Sequence, residues 1–478
     1  MLIRQTALYF PAQLLGPLVQ LAAMIVWTHW LVPHEFGIYA LVVAAQELLY
    51  LALLYFWTQF MLRFLTAATT GDGAGRRRLE AAEGWILLLN LAIQTAVSVA
   101  IVALLFDSHD PLLIASTILY TLTRTYATHL TDRLRVDGHI GAYTVVQTVG
   151  PVLGLPLGLW AASTILPGPA GALAGYGVAL LASLILVFPS INVRPTLARP
   201  DRELVRAAFT YGLPLAFSGA LVWISGNGIR FVIEHRMDAA AVGLFSVGWT
   251  IGQRASLFAA MLVTAAAFPL ALKIDATGQR GKALQQLSTN GALLCAVLFP
   301  SCAGLAILSG PLTRLTVAPD YVAVTAVILP IATLGGFIKN LRSHFANQPF
   351  LLAEKTRWTL GLDIVEAVLF LAGAIVGLEL YGLVGAAAGS LLSVLVGAAW
   401  AFWLAVYRLG MPMPVAHIAR ITLATVAMSA IVLALPAERW DTFLLAVAIG
   451  AGVYAGVLAL LYRGQLGEFR AAWKPSAS

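Results

Sequence analysis

A chain of 478 residues that is 60% hydrophobic and only 11% charged does not read as a soluble globular domain, in which about a quarter of residues are charged. Its mean hydropathy is +0.86, and apolar runs of about 18 residues or more, the signature of membrane-crossing helices, recur along its length. The formal charge of +7 would suit nucleic acid, but the basic residues fall where topology signals belong, so no nucleic-acid partner is expected.

Fourteen spans are predicted, at 7–32, 38–62, 84–106, 111–130, 139–162, 168–192, 207–229, 239–272, 287–309, 321–338, 358–378, 380–406, 414–435 and 442–462. The first is too long and uncharged for a signal-peptide core and has no small-residue cleavage site after it, so it reads as a transmembrane helix. The tenth is expected to run on past Lys339, because 340–352 is not loop-like. With a cytoplasmic N-terminus, 23 of the 29 Lys and Arg residues fall on the cytoplasmic face and four (Arg230, Arg236, Arg314 and Arg439) on the other. Arg124 and Arg254 lie within spans. This bias follows every alternate loop, which supports both the span count and the orientation. Loops are short, with no soluble domain, no Walker sequence and no glycine-rich loop after a strand. No enzyme activity, metal site or cofactor is therefore expected. Cys295 and Cys302 stand seven apart in one span and read as packing residues.

The chain repeats itself. Pro11 and Pro214, Gly37 and Gly243, and the runs beginning at Gly171 and Gly385 match at offsets that drift from 203 through 206 to 214. Each repeat holds six helices, an even number, so the two are parallel, related by an axis along the membrane normal. The expected fold is all-α: two parallel six-helix lobes around a central cavity plus two C-terminal helices. The expected divisions are 1–192, a basic linker 193–206, a second lobe 207–406, and 407–478 with the extra helices and a cytoplasmic tail. Gly150, Gly154 and Gly158 read as a packing face in span five. Pro11, Pro214, Pro269, Pro300 and Pro330 lie inside spans, where they free backbone groups and allow bends.

The ionisable residues within or beside spans are the candidate site. Arg254 at mid-span would cost ~2.5–3.5 kcal/mol facing lipid, so it faces protein or water. It suits an anionic headgroup, which a guanidinium grips bidentately, or else an internal ion pair. Arg124 reads as a second cavity cation or a snorkelling side chain, and Arg230, at the outer end of the break between spans seven and eight, as a third cation or a surface ion pair. Glu47 is the repeat counterpart of Arg254 and would pair with it in one state of a cycle. Asp363 and Glu366, three apart, share a helix face and would hold a proton or Na⁺, or else pair with Lys355 or Arg357. Trp27, Trp30 and Trp57 read as interfacial belt residues. Sugar stacking on Trp57, Trp223 or Trp249 is a further option.

PHEFGIYAL from Pro33, RLRVDGHIGAY, AAAVGLFSVGW and LYGLVGAAAGSLLS match, in order, stretches of the Wzx-type bacterial polysaccharide flippases (O-antigen and exopolysaccharide). These form a branch of the multidrug/oligosaccharidyl-lipid/polysaccharide (MOP) exporter superfamily. The resemblance implies alternating access around spans 1, 2, 7 and 8, moving an undecaprenyl-diphosphate-linked oligosaccharide to the outer leaflet of the bacterial inner membrane for surface polysaccharide biosynthesis. It implies cavity cations for the diphosphate, an H⁺ or Na⁺ gradient as energy source, and a polymerase and chain-length machinery as partners besides membrane lipids. Span one has no internal charge, a departure from the lipid II flippase branch and from drug exporters. The alternative function is a proton- or sodium-coupled exporter of small amphipathic compounds. A polymerase or ligase would need a large outer loop, and a scaffold would not carry interior charges.

Overall fold

The computed structural model describes residues 16, 18–68, 74–190 and 201–464. The start of the first span with Arg4 and Pro11, linker residues 193–200 with Arg194 and Arg199, and the tail with Arg470 and Lys474 lie outside the described residues. The described chain is helical, without a strand. In order it forms α1 (Leu18–Thr28), α2 (Pro33–Leu53), α3 (Tyr55–Ala68), α4 (Ala74–Ala100, extended by a π turn to Leu105), α5 (Pro111–Val136), α6 (Ile140–Thr164), α7 (Pro169–Val187), α8 (Arg202–Arg236) and α9 (Ala239–Ala276). There follow α10 (Arg280–Ile307), the short α11 (Ser309–Thr316), α12 (Pro319–Leu341), α13 (Gln348–Leu352), α14 (Thr356–Trp403), α15 (Val415–Ala434) and α16 (Trp440–Leu461).

Three joins recover the expected rods. Leu54 makes a slight break between α2 and α3, a π turn at Arg342–Ala346 carries α12 on to α13, and α14 is two helices meeting at Tyr381 and Gly382. The rods among the described residues therefore follow the fourteen-span reading, and the tenth does continue beyond Lys339. Among the described residues, ten helices are long and apolar enough to cross a membrane. The 26-residue α5 is not among them, because hydroxyls, His129 and arginines recur along it. The chain is a multi-pass membrane protein.

Helix starts follow local chemistry. Proline occupies the first turn of α2, α5, α7 and α12, where its missing N–H costs nothing. Asp110, Asp201 and Asp238 accept backbone N–H groups at the starts of α5, α8 and α9. Pro214, Pro269, Pro300 and Pro330 all lie inside helices, as expected.

The chain forms two compact units, Met1–Leu244 and Phe245–Ser478. Within each, the repeat reappears as equivalent contacts. Gln46 Nε2 donates to Thr125 Oγ1 at 3.1 Å, and Gln253 Nε2 donates to the Ala332 carbonyl at 3.2 Å. Both pairs are separated by 79 residues. In the first unit Gly175 lies against the Gly158 backbone, where a Cβ would come within 2.1 Å; in the second Gly389 lies against Gly373, within 1.9 Å. Gly168 and Gly382 hold the same left-handed turn before the sixth and twelfth rods, at φ +72° and +60°, a region open to glycine. Gly150 and Gly154 meet Leu180 and Tyr176, so the spacing-four stripe is a packing face.

Candidate functional site

In the first unit α8 runs along α2 and α3. Phe56 stacks on Phe209 with ring centroids 4.3 Å apart, and Gly212 passes the Phe56 carbonyl with no room for a side chain. At the other end Gly37 abuts Ala239, where a Cβ would stand 1.7 Å from the carbonyl oxygen, and Gly243 abuts the Pro33 carbonyl in the same way. These two glycines are repeat counterparts packed on each other. Neither tolerates alanine without moving backbone.

Between those ends lies a chain of polar contacts. Asn227 Nδ2 donates to Glu47 Oε2 at 3.1 Å, and Arg230, one turn further along α8, donates to Asn227 Oδ1. Arg230 is buried, 9% exposed, and lies six residues inside the helix end. That corrects its expected position at the outer end of the break: α8 extends to Arg236, so the guanidinium belongs to the helix and not to a loop. The structure thus links two of the expected site residues, Glu47 and Arg230, through an amide that the sequence did not single out. Arg254 is half-buried in the middle of α9 and engaged by neighbouring groups. Arg124 is half-buried on α5, about 100° around the helix from Thr125.

Asp363 and Glu366 do share a face, but their partner is Arg342. That arginine is 4% exposed and bonds both carboxylates. Lys355 instead lies over the Trp358 ring, 4.4 Å from its centroid. Among the described residues no group of three or more His, Cys, Asp or Glu side chains is placed to hold a metal ion.

A second charge cluster was not anticipated. Glu83, His129 and Arg133 are 3, 4 and 4% exposed. Arg133 bonds Glu83, and it reaches Glu80 at 3.1 Å. Glu80 also pairs with Arg76 at 2.9 Å. His129 Nε2 lies 2.8 Å from Glu83 Oε1, and Nδ1 lies 2.8 Å from Thr58 Oγ1. The seam continues along both helices: Gln94 Nε2 bonds Thr125 Oγ1 at 3.0 Å, and Ser98 bonds Thr121 at 2.9 Å. The signal was in the sequence as spacing. Thr117, Thr121, Thr125, His129 and Arg133 recur every four residues, so they line one face of α5. Glu83, Asn90, Gln94 and Ser98 line one face of α4. The cluster was missed because spans ending at 130 and starting at 84 cut Arg133, Glu80 and Glu83 away as loop charges.

The tryptophans also differ from expectation. Trp30 is half exposed, but Trp27 and Trp57 are fully buried. Trp27 fills the space left by Gly158, and Trp57 sits in an aromatic and aliphatic core with Phe60 and Leu65. Trp223 and Trp249 are buried as well, which leaves no open ring face of the kind sugar stacking needs. Cys295 and Cys302 are buried free thiols, as read.

Comparison with known proteins follows this geometry. The fold matches a solved structure titled "Lipid II flippase MurJ, inward closed conformation", with a TM-score of 0.77 at 14% identity, over 96% of this chain and 100% of the other. It also matches an inward-facing multidrug resistance MATE family transporter of the MOP superfamily, with a TM-score of 0.67 at 17% identity, over 83% and 94% of the two chains. The outward-facing form of a MATE family transporter matches with a TM-score of 0.53 at 17% identity, over 85% and 95%. No curated protein matches the chain. The family model described as "Polysaccharide biosynthesis protein" matches residues 2–275, and the chain, with a fold shared by MOP-superfamily transporters, belongs to that family.

Proposed function

We propose that the chain flips an undecaprenyl-diphosphate-linked oligosaccharide repeat unit from the inner to the outer leaflet of the bacterial cytoplasmic membrane by alternating access. The product would feed a surface polysaccharide polymerase. The observation that carries this reading is the Glu47–Asn227–Arg230 chain, set among membrane helices of a polysaccharide biosynthesis family member. An amide held between a carboxylate and a guanidinium is a switchable anion receptor. A diphosphate that displaces the Glu47 carboxylate takes over the Asn227 donor and comes within reach of a guanidinium that cannot deprotonate. Binding in one conformer and release in the other is then a population shift, driven by differential contacts to the anion. The shared fold with a solved lipid II flippase supports a lipid-linked cargo.

The test uses cells that make lipid-linked glycans, lack this gene and have no second flippase. Leaflet-restricted enzymatic labelling reports where undecaprenyl-linked glycans sit. The expected result is glycan trapped inside, released by the wild-type gene, and released at a rate at least tenfold lower by Arg230→Ala. Absence of trapping in the deletion strain overturns the flippase reading in favour of a small-molecule exporter. Full release by Arg230→Ala removes the anion role from this site.

A further inference from the structure

The first unit holds a buried titratable group that the anion site does not use. Both ring nitrogens of His129 are engaged, Nε2 by Glu83 and Nδ1 by Thr58 Oγ1. The same Thr58 oxygen lies 3.2 Å from the Leu54 carbonyl. Two protonation states therefore fit one set of heavy-atom positions. With the ring neutral, Nε2–H donates to Glu83 and Nδ1 accepts the Thr58 hydroxyl. When a proton adds to the Nδ1 lone pair, the new N–H donates to Thr58 Oγ1 and the hydroxyl hydrogen turns to Leu54. No buried polar group loses its partner in either state, so the change of protonation leaves no donor or acceptor unpaired.

The surrounding charges favour the exchange. Arg76 and Arg133 supply two positive charges, and Glu80, Glu83 and Asp137 three negative ones, all in ion-pair contact with one another. One proton on His129 brings the cluster to neutrality. At the rim Asp132 pairs with Arg135 at 2.8 Å and adds no net charge. The neighbouring groups on α2, α3 and α5 that face the cluster are the phenols of Tyr50, Tyr55 and Tyr126, neutral at physiological pH.

The site also has a route. Toward the basic end of the helices, Glu80 leads to Arg76, whose side chain is 26% exposed. In the other direction, Asn90 lies on the same α4 face as Glu83 and is 2% exposed. Neither end of its amide, nor Gln94 Oε1, has a partner among the described residues. The polar seam thus continues from His129 past Asn90 to Gln94 and Thr125.

We propose that His129 is a proton-binding site, loading one proton at Nδ1 in one conformation of the cycle and releasing it in another, so that flipping is coupled to proton movement. The coupling clause rests on the flippase reading; the proton site does not.

The test uses full-length protein in lipid nanodiscs, labelled with ¹³C,¹⁵N-histidine and titrated from pH 5 to 9. The His129 ring signal is the one absent from His129→Gln, whose seven other histidine signals must be unchanged. The expected result is a single-proton transition of that ring, with a midpoint lowered by about one unit or more in Glu83→Gln, where the adjacent carboxylate charge is removed. Thr58→Val, which removes the Nδ1 partner, is expected to move the midpoint too. A ring that keeps one protonation state throughout, or a midpoint indifferent to both neighbours, overturns the site. In proteoliposomes, flipping of a synthetic undecaprenyl-diphosphate-linked disaccharide is expected to accelerate when a pH gradient is imposed on the wild type, and not in His129→Gln. Equal wild-type rates with and without a gradient overturn the coupling. A probe that wild type does not flip at all overturns the flippase reading, while the titration still decides the proton site.

Discussion

The third and fourth rods of each repeat pack side by side, yet the two repeats fill that seam in opposite ways. In the first unit α4 and α5 meet through Glu83, Gln94 and Ser98 against His129, Thr125 and Thr121. In the second, α10 places Leu294, Leu298 and Cys302, again four apart, in an apolar cluster with Phe345 and Phe350. The second unit has the same rods packed through an apolar seam, so the polar one is not a requirement of the architecture. What both repeats keep is an arginine in the second half of the fourth rod that grips two carboxylates three residues apart: Arg133 with Glu80 and Glu83, Arg342 with Asp363 and Glu366. The carboxylates come from different neighbours, α4 in one unit and α14 in the other. The arginine position is thus shared, while its partners stand on different rods.

The shared arginine gives the largest expected effect. Arg133→Met takes the guanidinium from buried Glu83, while Glu80 keeps Arg76, and Arg342→Met takes it from both Asp363 and Glu366; each costs about 3–5 kcal/mol. Thermal unfolding of the purified proteins measures it. If one variant unfolds like wild type, the two clusters are not equivalent anchors.

The contrast between the seams comes next. Leu298→Gln removes buried apolar contacts and leaves an amide unbonded, a loss of about 3 kcal/mol. Asn90→Leu replaces an amide that has no partner among the described residues, and is expected to change stability by less than about 1 kcal/mol and, on the two proposals above, to slow flipping. Unfolding midpoints and flipping rates of the two variants, compared side by side, decide it. Equal destabilisation would mean the polar seam is as tightly specified as the apolar one.

The smallest effect is a backbone one. Glu354 sits at φ +54° just before the eleventh rod, where the first repeat has Gly138 at φ +77°. Glu354→Gly relieves the left-handed strain of a residue with a Cβ, for a gain of about 0.5 kcal/mol. A rise in unfolding temperature of a degree or so is the readout.

Much of this was legible in the sequence, because membrane helices are written in composition. Span order, the parallel repeat and the interior prolines need only hydropathy and spacing. The charged contacts were less legible, for a definite reason. A hydropathy window ends a span where charges begin, so Arg133, Glu80 and Glu83 were assigned to loops, and Arg342 was counted only as a cytoplasmic-face charge, although their helices carry them into the packed interior. Arg230 was displaced for the same reason. The partner of Asp363 and Glu366 lay 21 and 24 residues upstream on another rod, and no pattern along a single helix reveals a pairing across helices. Trp57 was read by its distance from a span end, whereas its burial depends on α3 packing in an aromatic core that one-dimensional position does not express.

The two thiols bear on how the molecule can be studied. Cys295 and Cys302 are the whole cysteine content of the chain, one face of α10 carries both, and each is buried. Membrane-impermeant maleimides therefore meet a nearly silent native background. Single cysteines placed in the loops beside Asp107 and Arg439 would be labelled from one side of the membrane, and those beside Asp137 and Gly278 from the other. The chain can thus be mapped loop by loop with its own sulfur left in place.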